Sequence, residues 1–201
     1  VELTHRCTFA CRHCYVHAPR ATAELPTPRL LQVLEELAGM GTLYLSLTGG
    51  EPLLREDWAV IGRRARTLGF SLGVLTNGSL IDDRAADTLA ELCASVDLSL
   101  CALDEPTFAA VTGVDGALET VLEGVRRLRA RGVGVHLKVP VTTLNPHAVP
   151  EVLALAREWG CECTAFGEVY GQRDGCPDTN RLQQDGSALA SFVKMRQVEA
   201  G

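Results

Sequence analysis

Against a prior of roughly 150 residues per domain, 201 residues make one generous domain or two small ones, and 46% hydrophobic with 22% charged residues excludes disorder and collagen-like structure. Nineteen Lys and Arg against 25 Asp and Glu leave a formal net charge of −6, so no global basic field exists to hold nucleic acid by its phosphates. No apolar run reaches the roughly eighteen residues of a membrane span, and Val1-Glu2-Leu3-Thr4-His5 lacks the basic and apolar regions of a signal peptide, so the expectation is a cytoplasmic protein without membrane or nucleic-acid partners.

Along the chain, short aliphatic or β-branched runs alternate with longer stretches whose apolar residues fall three and four apart. A strand at residues 1–6 leads to a short helix near Cys14 and a main helix at 27–38; a strand at 42–47 leads to a helix at 55–68. The pairs continue with 70–76 and 82–93, 95–101 and 117–131, 133–141 and 148–159, and 163–169 and 184–198. Thr27 followed by Pro28 reads as a helix cap with a preset φ, and Gly39, Gly69, Gly132 and Gly160 stand where left-handed residues end helices. Alternating βα order predicts parallel strands with right-handed crossovers, in an open doubly wound sheet or a barrel. A closed eight-unit barrel ordinarily takes about 250 residues, so the expected fold is α/β, a (βα)6 partial TIM-like barrel occupying 1–201 as one domain. The sequence opens without Met and inside a strand, so a piece of a longer protein is expected.

In such folds the ligand site lies beyond the carboxyl ends of the strands. There stand Cys7-Thr8-Phe9-Ala10-Cys11-Arg12-His13-Cys14 after the first strand, Thr48-Gly49-Gly50-Glu51-Pro52 after the second and Asn77-Gly78 after the third. Of eight cysteines, Cys7, Cys11 and Cys14 are close enough to converge in a tight loop, and thiolates so placed need a cation to offset their repulsion. An iron–sulfur cubane held by three thiolates leaves one iron open for a ligand. Two other readings of these residues stand beside it. A zinc module without enzymatic activity would take the triplet with His5, His13 or His17, and a redox pair of the thioredoxin kind would use Cys11 and Cys14 alone.

The CxxxCxxC triplet, joined to Gly-Gly-Glu-Pro after the next strand, resembles the radical S-adenosylmethionine enzymes. Ser99 to Gly113 is similar to the Ser-Leu-Asp-Gly…Arg-Gly stretch of the SPASM-type branch that matures ribosomally made peptides and sulfatases. It departs at Cys101, where Asp is common, at Phe108 and Ala109, where His-Asp is common, and at Thr112, where Arg is common. The resemblance implies a 4Fe-4S cluster on Cys7, Cys11 and Cys14, reductive cleavage of S-adenosyl-L-methionine to a 5′-deoxyadenosyl radical, a flavodoxin- or ferredoxin-like electron donor and a peptide substrate. A small molecule such as a nucleotide is the alternative substrate. A cysteine-rich C-terminal extension with auxiliary clusters, found in many relatives, is not in the sequence.

Each candidate cofactor residue has a functional and a plainer reading. Gly49 and Gly50 lack a Cβ that would obstruct a cofactor, and Glu51 is an acceptor for its ammonium; together they also suit an ordinary strand-to-helix turn. Alternation turns Ser95, Asp97, Ser99 and Cys101 to the lumen, where the family pattern gives Ser99 a ribose contact. Thr76 and Asn77 stand as cofactor contacts or as turn chemistry, and His13 as the flat group over the adenine or as a loop histidine. Lys138, in an apolar run, answers a carboxylate of cofactor or substrate, or sits at an edge. Asn145 reads as a helix cap, Glu168 and Tyr170 face the substrate region, and Trp58 and Trp159 read as core. Cys93 packs as a small hydrophobe, whereas Cys161, Cys163 and Cys176 lack metal spacing, an auxiliary cluster being their remote alternative.

Overall fold

The computed structural model describes residues 1–16, 23–167 and 177–183. Six strands, β1 (Glu2–Thr4), β2 (Tyr44–Gly49), β3 (Ser71–Thr76), β4 (Ser95–Ser99), β5 (Gly134–Pro140) and β6 (Glu162–Phe166), form one sheet in the spatial order of the sequence. Every pairing is parallel. Because each right-handed crossover steps to the next strand in the same direction, the helices gather on one face. A doubly wound sheet would reverse its strand order, so the expected partial barrel is the architecture found.

The helices are α1 (Thr27–Gly39), α2 (Trp58–Thr67), α3 (Asp83–Leu92), α4 (Glu105–Thr112), α5 (Leu118–Ala130) and α6 (Val149–Glu158). On the helix-covered face, Leu47, Val74, Leu98, Leu137 and Val139 are buried with Ile61, Leu89, Val125 and Val152 of the helices. The other face of the same strands, the hollow of the partial barrel, is mixed: Ser46, Ser71, Ser95 and Ser99 are exposed there, as are Tyr44, Leu75 and Phe166. Trp58 and Trp159 pack partly buried against the core, Trp159 also beneath the Arg126 guanidinium, 5.2 Å from its ring centroid.

Several local expectations change. Residues 11–14 make only a turn, with Cys14 N–H donating to the Cys11 carbonyl at 3.1 Å, not a helix. Thr27 is not a cap; it lies inside α1 and gives its hydroxyl to the Asp57 carboxylate, and Pro26 precedes the helix. Gly39 remains helical, and the left-handed residue after α1 is Gly41 (φ 83°), whereas Gly69, Gly132 and Gly160 have φ of 91°, 75° and 61° after α2, α5 and α6 as expected. The helix expected at 55–68 starts only at Trp58, and a separate 3-10 turn, Pro52–Leu54, precedes it. Helix α4 has no counterpart in the sequence reading. The expected helix at 184–198 lies outside the described residues.

Candidate active site

The cysteine loop leaves β1 and rests on α4. Ala10 N–H donates to the Thr112 carbonyl at 2.9 Å and Arg12 N–H to the Val111 carbonyl at 3.0 Å, using acceptors left free at a helix C-terminus. The Phe9 ring meets Phe108 edge-on, with centroids 5.9 Å apart, and Phe108 is completely buried. Gly113 (φ 73°) ends α4 against the loop: a Cβ there would lie 2.7 Å from the Ala10 carbonyl oxygen. Phe108, Thr112 and Gly113 are thus the platform of the triplet. The signals for α4 were in the sequence, as Asp104 accepting from Thr107 N–H at 2.9 Å, Pro106 in the first turn and Gly113 at the end.

The Gly-Gly-Glu turn lies against the same loop. Gly50 N–H donates to the Thr4 carbonyl and Glu51 N–H to the Arg6 carbonyl, both at 2.8 Å. A Cβ on Gly49 would stand 2.2 Å from the Thr4 oxygen, and one on Gly50 2.3 Å from the Arg6 oxygen. Both obstacles are backbone. The glycines are therefore required by the approach of β1 itself, a reason different from the cofactor clearance expected of them.

Glu51 is completely buried, and its carboxylate accepts from Leu53 N–H at 3.1 Å, Thr76 Oγ1 at 2.8 Å and Asn77 N–H at 2.8 Å. All three donors are neutral, and among the described residues no cationic side chain pairs with it. Burial pushes its carboxyl above the usual range, which the hydrogen bonds only partly oppose. Thr76 spends its hydroxyl proton on Glu51 and accepts from Gly78 N–H at 3.0 Å, so it holds the glutamate in place. Asn77 continues the chain into the loop: its side-chain amide donates to Thr8 Oγ1 at 2.8 Å and to Cys7 Sγ at 3.5 Å.

The triplet is chemically suited to an iron–sulfur group. Burial raises the Cys7 and Cys11 thiols, and Cys11 is pushed further by repulsion from Cys7, Cys14 and the buried Cys101 of the β4 exit. Soft donors near enough to repel one another are the set a cation relieves. Among the described residues no three His, Cys, Asp or Glu side chains are arranged to hold one metal ion. His5 is paired with Glu2 at 3.1 Å, and His17 lies outside the described residues. His13 is the loop's other unsatisfied group, with a buried Nδ1 lacking any hydrogen-bond partner and a pKa lowered by burial to about 4. A neutral ring with an orphaned acceptor or donor fits a bound group at this place.

Ser99 and Lys138 are register partners facing the hollow. Lys138 Nζ lies 3.4 Å from Oδ1 of Asp97 on the adjacent strand, a carboxylate of the protein itself and not the cofactor or substrate carboxylate expected of it. The same oxygen lies 3.0 Å from His136 Nδ1, and His136 Nε2 lies 2.7 Å from Thr164 Oγ1. The Asp97–His136 pair was missed, although both are polar residues at alternate positions in apolar strands. Asn145 stands at the N-cap of the 3-10 turn Pro146–Ala148, but its side chain makes no cap bond: completely buried, it donates to the Cys101 and Pro140 carbonyls at 2.8 and 2.9 Å and accepts from Thr142, tying the exits of β4 and β5 together. Cys93 is buried in the core as expected. Cys161 and Cys163 flank the start of β6 and are half-buried, while Glu168, Tyr170 and Cys176 lie outside the described residues.

Comparison with known proteins agrees with this geometry. The chain is 36% identical over 164 residues to pre-heme d1 synthase of Dinoroseobacter shibae, covering 80% of this chain and 40% of that protein. PqqA peptide cyclase of Gluconobacter oxydans is 33% identical over 162 residues, with coverage of 79% and 45%. Among solved structures, Streptococcus suis SuiB bound to S-adenosylmethionine superposes with a TM-score of 0.72 at 20% identity, covering 97% of this chain and 48% of SuiB. Native anSMEcpe with bound AdoMet and the Kp18Cys peptide gives a TM-score of 0.70 at 18% identity, with coverage of 87% and 55%. The chain thus spans less than half the length of these curated relatives. The sequence profile of the Radical SAM superfamily matches residues 1–156, and the chain belongs to that superfamily.

Proposed function

We propose that this chain is the catalytic core of a radical S-adenosylmethionine enzyme that modifies a ribosomally made peptide. Cys7, Cys11 and Cys14 would hold a 4Fe-4S cluster, and the Gly49-Gly50-Glu51 turn, His13, Ser99 and Lys138 would surround S-adenosylmethionine. When bound, the cluster supplies the electron that cleaves S-adenosylmethionine to methionine and a 5′-deoxyadenosyl radical, which takes a hydrogen atom from the substrate.

The observation that carries the reading is the continuous hydrogen-bonded path from Cys7 through Asn77 to Glu51, which sets the thiol triplet beside a buried carboxylate that has no cationic partner among the described residues. A carboxylate offers about four acceptor positions, so one remains on Glu51 for the cofactor's ammonium. Thr76 and the backbone N–H of Asn77 orient that carboxylate. Ser99 presents a hydroxyl from the hollow face, and the sheet beneath it excludes water on its helix side only. His13 would contribute a neutral ring.

The peptide reading is supported by relatives named PqqA peptide cyclase and by neighbours solved with a precursor peptide, SuiA, and with the Kp18Cys peptide. The relative named pre-heme d1 synthase favours a second reading, a small-molecule substrate on the same core. Under either reading a flavodoxin- or ferredoxin-like protein is the reductant and the cytoplasm the site of action. Among the described residues no helix is long and apolar enough to cross a membrane.

The test is anaerobic reconstitution with iron and sulfide. About four irons per chain are expected, together with 5′-deoxyadenosine formation from S-adenosylmethionine under dithionite. Cys11→Ala should lose both and Cys93→Ala neither. One tightly held zinc per chain, or equal iron in the two variants, would defeat the proposal.

A further inference from the structure

Asn77 is tied to the cysteine loop more fully than a turn residue needs to be. Its Oδ1 accepts from Ser79 N–H at 2.9 Å and from Ser79 Oγ at 2.7 Å. A backbone N–H can only donate, so this contact decides which end of the amide is oxygen. The nitrogen must then face the loop, where one N–H goes to Thr8 Oγ1 at 2.8 Å and the other to Cys7 Sγ at 3.5 Å. Thr8 Oγ1 is itself braced by Ser79 Oγ at 2.7 Å. All four positions of the side chain are occupied, leaving none for S-adenosylmethionine. The backbone N–H is held by Glu51, and the residue is only 9% exposed, so water does not compete for these bonds.

Cys7 Sγ receives a second donor, the Phe9 backbone N–H, at 3.4 Å. Two N–H groups therefore converge on one sulfur of the triplet. Hydrogen bonds to a thiolate sulfur withdraw electron density and stabilise the more negative, reduced form of an iron–sulfur cluster, which raises its potential. We infer that Asn77 is a positioning residue that, with the Phe9 N–H, sets the reduction potential of a cluster held by Cys7, Cys11 and Cys14, and is not a ligand of S-adenosylmethionine. The inference rests on the cluster assignment proposed above.

Its test is EPR-monitored potentiometry of the reconstituted protein, with iron counted in each sample. Asn77→Ala removes the side-chain donor and should shift the midpoint potential to more negative values at full iron content. Asn77→Asp removes the donor and adds a negative charge beside the sulfur, so its shift should be larger. Ser79→Ala keeps the backbone anchor of Oδ1 and should leave the potential unchanged, whereas loosening of the whole turn would move all three. In the unmutated protein, asparagine labelled with 15N in its side-chain amide should give a 15N hyperfine coupling to the reduced cluster. That measurement decides the matter even where a variant takes up iron poorly. Equal potentials in wild type and Asn77→Ala at full iron, or no coupling from the label, would overturn the inference and leave the cluster standing. A wild-type chain that binds no iron would overturn the cluster assignment itself.

Discussion

Leu137 and Lys138 are consecutive residues of β5 under opposite constraints. Leu137 points to the helices and is completely buried, in line with Val135 and Val139. Lys138 points into the hollow, keeps 31% of its side chain exposed and pairs with Asp97, whose carboxylate also meets His136, while Ser99 is its register partner on β4. The covered face is dry and aliphatic because the strands follow one another in sequence order, so that right-handed crossovers stepping the same way gather the helices on one side of the sheet. The hollow face is therefore released from packing, and its residues are available for recognition. Stability and chemistry are divided by the pleat of a single strand.

Leu137→Ala should break the first half of this division. Removing a completely buried leucine from β5, where it faces the covering helices, leaves a cavity that its neighbours can only partly close, costing about 2–5 kcal/mol. Guanidinium unfolding should show the midpoint falling with the slope unchanged. A loss below about 1 kcal/mol would mean that the covered face is not the stabilising one.

The sheet was legible because its two signals are local. Strand alternation has a period of two, and three of the four expected glycine stops take left-handed φ where the chain must turn. The miss at Gly39 is a choice between two glycines two residues apart, settled by how far α1 winds before Gly41. Helix α4 escaped because eight residues, Glu105–Thr112, are too few for periodicity and bury Phe108, Val111 and Thr112 around them. The cysteine triplet stood out by its spacing, and the family resemblance joined it to the Gly-Gly-Glu turn. Their supports could be read from neither, since Asn77 meets Cys7 and Asn145 meets Cys101 across long stretches of chain, contacts fixed only by the fold. For Gly49 and Gly50 an absent Cβ signals close approach but not of what, and the structure shows one approach the sequence did not reveal, that of the Thr4 and Arg6 carbonyls.

Between the two faces lies the rim, and His13 measures it. Its folded pKa of about 4 is below its ordinary 6.5, so between those values the unfolded chain binds the proton and the folded chain does not. The stability this residue protects is complete above the unfolded value and is lost as pH falls toward 4, by at most about 3 kcal/mol. Unfolding titrations of the cluster-free protein at pH 7 and 4.5 should show the decline, and His13→Phe, which cannot be protonated, should flatten part of it. An identical pH dependence in that variant would place the ring in water.

Lys138→Met should have the smallest effect on folding. Methionine keeps the aliphatic stem over the hollow and removes only the ammonium, which is partly exposed and 3.4 Å from its partner, a longer contact than a good charged hydrogen bond. Asp97 retains the His136 ring nitrogen at 3.0 Å, so its carboxylate is not stranded. The cost should therefore stay within about 1 kcal/mol, the range of solvent-accessible ion pairs. Measured beside Leu137→Ala in the same guanidinium titration, the ratio of the two losses tests the division directly, because the residues share a strand and differ only in face. A loss for Lys138→Met as large as that for Leu137→Ala would make the Asp97–His136–Lys138 group part of the structural core. A small one places Lys138 outside the structural core.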